Sequence, residues 1–135
     1  MQKNLIIGCS ITVLGLFVSS CNDNEDYSII QSIDRIKIDS VNIVNDTMDV
    51  FALQSIRTYS TYPSRCEGFY GYDYIYEDHS SRRITAYRYF RNGPCTQNTY
   101  VGVNQINFSP QHKGTYRFSF WNGDDQWIVK TIVVE

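Results

Sequence analysis

Every second residue from Tyr70 to Tyr76 is a tyrosine, with Gly71, Asp73 and Ile75 between them and Glu77 following. Successive side chains of a strand point to opposite faces, so this spacing puts the four rings on one face and the two acids on the other. A helix would scatter the same rings around its circumference. The period of two recurs along the chain. Ile36-Lys37-Ile38-Asp39 alternates, and the pattern resumes after Ser40 at Val41 and Ile43. Met48 to Ile56 is a further apolar stretch, and Arg83–Phe90 and Tyr100–Phe108 read as strands. Tyr116, Phe118 and Phe120 alternate against Arg117, Ser119 and Trp121. Asn45-Asp46, Asp78-His79-Ser80-Ser81 and Asn92-Gly93-Pro94 supply turn chemistry between these runs. Arg57 to Gly68, with Pro63 and Cys66, reads as a long loop. Thr115–Trp121 and Trp127–Val134 read as a hairpin over Asn122-Gly123-Asp124-Asp125. No long segment has the helical period and no internal repeat is present. The expectation is an all-β, antiparallel sandwich of about seven strands.

Eleven Tyr and seven Phe, with few Ala and Leu, favour strands over helices. The chain carries 12 Lys and Arg against 14 Asp and Glu. Without a basic excess, nucleic acid is not an expected partner.

The N-terminus reads as an address. Met1-Gln2-Lys3-Asn4 holds one Lys and no acid, and Leu5–Val18 is almost wholly apolar. This run is too short for a membrane-spanning helix, which needs about 20 residues. A positive start, a short apolar centre and small residues at its end are the layout of a secretory signal. Val18-Ser19-Ser20-Cys21 resembles the lipobox of bacterial lipoproteins. That resemblance implies cleavage before Cys21 and diacylation of its sulfur, so residues 1–20 are expected to be removed. Each buried CH₂ of an acyl chain contributes about 0.8 kcal/mol, and two or three chains hold a protein to a membrane durably. Asp23, Glu25 and Asp26 resemble the acidic export tail of surface lipoproteins of the Bacteroidetes type. This implies an outer-membrane location with exposure at the cell surface. Residues 21–33 are the expected acidic tether and 34–135 the expected domain. The mature chain keeps 115 of the 135 residues, enough for one domain with a single core.

Cys9 leaves with the signal and Cys21 is acylated, so Cys66 and Cys95 remain. In an oxidising envelope compartment a lone pair reads as a disulfide, closing a loop of about 30 residues. Gly114-Thr115-Tyr116-Arg117-Phe118 resembles the tyrosine corner of immunoglobulin-like domains. The resemblance implies an immunoglobulin-like sandwich in which Tyr116 bonds back to the preceding turn. The chain departs from the antibody pattern at His112, where Asp is usual, and at Phe118, where the second core Cys stands. The Cys66–Cys95 bridge is therefore expected to join two loops.

Candidate chemistry is sparse. The stripe Tyr70, Tyr72, Tyr74, Tyr76 is either a sugar-stacking platform or core, and Asp73 and Glu77 on the opposite face argue for core. The expected ligand contacts are Trp121, pointing outward beside its hairpin turn, with Tyr59 and Tyr62 from the preceding loop. Asp39-Ser40-Val41 and Asp46-Thr47-Met48 resemble Bacteroidetes O-glycosylation triplets, implying modification at Ser40 and Thr47. No Gly-x-Ser-x-Gly turn is present, and neither His79 nor His112 has a patterned acid or thiol partner. Asp78, Asp124 and Asp125 sit in turns, where Asp is ordinary. No enzyme activity, cofactor or metal is expected. The expected role is a binding module for a protein or glycan at the cell envelope, with an accessory subunit of an envelope complex as the alternative.

Overall fold

The computed structural model describes residues 29–135; the expected signal, Cys21 and the acidic cluster lie outside them. The described residues form an all-β fold of nine strands with no helix. These are β1 (Ile30–Ile36), β2 (Ser40–Ile43), β3 (Thr47–Met48), β4 (Gln54–Tyr62), β5 (Glu67–Tyr76), β6 (Ser81–Arg91), β7 (Tyr100–Phe108), β8 (Gly114–Trp121) and β9 (Trp127–Val134). One sheet has three strands in the order β2-β4-β7. The other has six: β1-β6-β8-β9-β3, with β5 on the free side of β6. The two sheets pack across a shared core, the arrangement of a β-sandwich.

Several expectations change. β1 starts at Ile30, so the last residues of the expected tether are a strand paired with β6. The larger sheet is mixed rather than antiparallel: β8 runs parallel to β6, and β3 parallel to β9. The chain leaves β6, crosses to β7 in the opposite sheet and returns, and that round trip restores its direction. Arg57–Tyr62, read as loop, is the outer half of β4. Its inward residues Thr58 and Ser60 are buried hydroxyls, so the strand lacks an apolar alternation.

The core explains how those hydroxyls are accommodated. Ile36, Ile38, Ile56, Ile84, Phe118, Phe120 and Ile132 belong to its buried cluster. Phe108 meets Phe118 edge-on at 5.0 Å. Tyrosines add to this core. Tyr62 stacks on Tyr100 at 5.0 Å, and Tyr72 Oη lies 2.5 Å from Thr58 Oγ1 across the sheets. Tyr100 Oη donates to the Glu67 carbonyl at 2.5 Å. Large rings from one strand thus face small residues on another. At Gly102 a Cβ would sit 2.6 Å from the Tyr62 ring, so this position needs glycine.

Three local features match their sequence expectations. Tyr116 Oη donates to the His112 carbonyl at 2.8 Å, the back-bond a tyrosine corner makes. Cys66 and Cys95 form a disulfide with Cα atoms 5.4 Å apart, joining the residue before β5 to the β6–β7 loop. The β8–β9 hairpin also forms as read, with Trp121 opposite Trp127.

Candidate functional site

The expected aromatic contact surface does not assemble. Tyr62 is 1% exposed and belongs to the core, because β4 continues through it with its side chain inward. Tyr59 lies on the outer face of the three-stranded sheet, between Ser40 and Val103 of the neighbouring strands. Trp121 lies on the outer face of the six-stranded sheet, under the Arg35 guanidinium at 4.6 Å. Its indole N–H donates to the Asp124 carbonyl at 2.9 Å, which fastens the ring to its own turn. Tyr59 and Trp121 therefore face away from each other. Ser40 and Thr47 are both exposed, Ser40 as the first residue of β2 and Thr47 in β3.

The tyrosine stripe splits. The β5–β6 register steps from Phe69 opposite Arg88 to Gly71 opposite Tyr87, leaving Tyr70 as the extra residue of a bulge. Phe69 and Tyr72 consequently share the inner face, 4.7 Å apart. Tyr70 leaves that face and is 55% exposed. Tyr72 and Tyr74 pack against the core, whereas Tyr76 is 68% exposed at the end of the strand. Asp73, Ile75 and Glu77 are exposed, as the alternation requires.

Tyr74 and Tyr76 instead open onto a cleft of about 700 Å³ between the sheets, within the range of small-molecule sites. Its walls are two turns: the one joining β5 to β6, which carries His79, and the one joining β7 to β8, which carries His112. The imidazole centroids lie 5.5 Å apart. Tyr116 lies beneath, 6.4 Å from the His79 ring. Tyr74 and Tyr76 meet edge-on at 5.3 Å. Ile106 and Phe108 complete an apolar floor, and Gln111 gives the rim a hydrogen-bonding group, whereas Asn107 and Ser109 already bond to Gln105 and Phe51.

Arg82 is the charged residue of the cleft and is only 7% exposed. Its guanidinium carbon lies 4.1 Å from the Tyr76 ring centre and 5.7 Å from that of Tyr116. One terminal nitrogen donates to the carbonyls of Asp78, His79 and Ser81 at 3.0, 3.1 and 3.2 Å. Nε is buried without a hydrogen-bond partner among the described residues. Among the described residues no Asp or Glu lines the cleft. The adjacent acids are engaged elsewhere. Asp78 accepts the backbone N–H groups of Ser80 and Ser81, both at 2.8 Å, and the Ser80 bond leads in holding its carboxyl below the usual range. Glu77 pairs with Arg83 on the outer face. Burial raises the Tyr74 phenol, opposed by the nearby Arg82 charge.

Among the described residues no three His, Cys, Asp or Glu side chains converge as a metal site. The cleft can therefore stack a ring, donate hydrogen bonds and present positive charge. The reading of single residues missed it because His79 and His112 meet only through the packing of two distant turns. The available signals were Tyr76 at the end of the stripe and His112 in the tyrosine-corner turn. Comparison with protein-family models, characterised proteins and solved structures finds no match.

Proposed function

We propose that this chain is an envelope lipoprotein, anchored through acylated Cys21, whose β-sandwich is a binding module for a glycan or protein ligand. The anchor rests on Leu5–Val18 and Val18-Ser19-Ser20-Cys21. The Cys66–Cys95 bridge supports an oxidising compartment. The acidic residues after Cys21 support an outer-membrane, surface-exposed location. The Tyr116 back-bond supports immunoglobulin-like type for the sandwich, although the parallel β6–β8 pair departs from an all-antiparallel arrangement.

The observation that carries the binding role is the cleft of Tyr74, Tyr76, His79, Arg82, His112 and Tyr116. It combines apolar ring surface with a few convergent polar groups, the composition of a ligand site. The test is retention of the purified protein on immobilised polysaccharides and on a peptide array, repeated with Tyr76→Ala. Loss of retention supports the cleft; unchanged retention places binding elsewhere and defeats this reading. Anchoring is checked separately with Cys21→Ser, which should release the protein from membranes and block processing.

An accessory-subunit role is the second reading. Its support is the outer face of the six-stranded sheet, where Ile33, Ile75, Trp127 and Val129 are exposed. Such a subunit should co-purify with envelope partners from detergent.

A further inference from the structure

We infer that the cleft takes an acidic saccharide, with a uronic-acid carboxylate drawn to Arg82 and the sugar ring held against Tyr76. This rests on the reading of the cleft as the binding site and specifies its ligand class.

The charge argument comes first. Arg82 is buried, yet among the described residues no carboxylate faces it, because Asp78 is turned into its own backbone turn and Glu77 pairs with Arg83. Backbone carbonyls satisfy one terminal nitrogen but carry no full negative charge. Two aromatic faces offset part of the remainder. Nε remains unpartnered. A buried charge compensated this incompletely is costly to the free protein. An anion in the cleft offsets that charge through the low-dielectric surroundings and need not reach Nε itself. The carbonyl bonds fix the guanidinium in advance, so little side-chain freedom is lost when the anion arrives.

The remaining groups select the body of the ligand. Tyr76 offers an exposed ring at the rim, over which the apolar face of a pyranose can lie. His79 from one turn, and Gln111 and His112 from the other, offer partners for hydroxyl groups. A simple anion would leave both the ring face and the polar rim unused. A neutral sugar would leave Arg82 uncompensated.

The test is an NMR titration of isotope-labelled, disulfide-intact protein with trigalacturonic acid, neutral galactotriose and citrate. Trigalacturonic acid should shift the amide signals of Tyr76, His79 and His112 and bind about tenfold or more tighter than galactotriose, as a charge-assisted contact requires. Citrate should bind more weakly than the acidic trimer. Arg82→Gln should reduce the acidic trimer to the affinity of the neutral one. Should that variant not fold, the exposed Tyr76→Ala substitution carries the test, and it should weaken the acidic trimer while sparing citrate. Equal binding of the two trimers overturns the charge assignment but leaves the binding module intact. Equal binding of citrate and the acidic trimer overturns the saccharide assignment. Unmoved cleft signals with all three ligands overturn the inference, while the array experiment decides the broader reading independently.

Discussion

Two tyrosines between the same pair of sheets should respond in opposite directions to loss of one oxygen atom. Tyr62 is almost fully buried, and its hydroxyl has no hydrogen-bond partner among the described residues. Burial is the main cause that pushes its pKa up to about 12. Tyr62→Phe removes a desolvated group that makes no bond. It leaves in place the ring that stacks on Tyr100 and crosses Gly102. An unsatisfied buried polar group costs about 1–3 kcal/mol, so we expect this substitution to stabilise the fold by about 1 kcal/mol. Tyr72→Phe breaks the contact with Thr58 and strands a threonine hydroxyl that is 2% exposed, at a cost of about 1–3 kcal/mol. Adding Thr58→Val to Tyr72→Phe should then cost less than the sum of the single changes, because neither partner remains unpaired. Urea unfolding of the oxidised protein measures all four variants against wild type, provided the m-values agree. By calorimetry each kcal/mol should move Tm by about 4–8 °C for a domain near this size. Destabilisation by Tyr62→Phe of more than about 0.5 kcal/mol would refute the reasoning, because it would mean that the hydroxyl has a partner.

Three further outcomes follow from the same packing. Gly102→Ala drives a Cβ into the buried Tyr62 ring and should destabilise by about 1–3 kcal/mol in the same assay; a neutral effect would mean that the ring has room to move. Replacing Cys66 and Cys95 together by Ser should cost roughly 3–4 kcal/mol through the reopened loop of about 30 residues, with the strand content by circular dichroism kept. Unchanged unfolding would show that other contacts already close that loop. Burial raises the phenol pKa values of Tyr62, Tyr72, Tyr74 and Tyr100 above the ordinary value of 10.0, so the fold favours the neutral form. The stability this contributes is complete below about pH 10 and is lost as pH rises toward about 12, so ultraviolet titration should show late-ionising phenols that merge with the rest in denaturant. Simultaneous ionisation of all tyrosines in the native protein would contradict this.

The strands were legible wherever apolar residues alternate with polar ones. Tyr116, Phe118 and Phe120 face inward as their spacing requires, and the hairpin to β9 turns where Asn122-Gly123 marks it. The cysteine pair was legible by elimination, and the Tyr116 back-bond from a short local motif. These features depend on neighbours in sequence or on simple counting. Others depended on what lies across the core. The outer half of β4 looked like loop because Thr58 and Ser60 are polar; they are buried because tyrosines from β5 and β7 supply the apolar bulk and the hydrogen bond. Tyr70 left the stripe through a bulge set by its register with β6, which no period of two encodes. The larger sheet is mixed because β7 was placed in the opposite layer, a long-range pairing that local pattern does not specify. The cleft has the same origin. Residue order determined that Tyr76 ends a strand and that His79, Arg82 and His112 lie in or beside turns. Only the packing of the β5–β6 turn against the β7–β8 turn brought them around one cavity and left Arg82 without a carboxylate among the described residues.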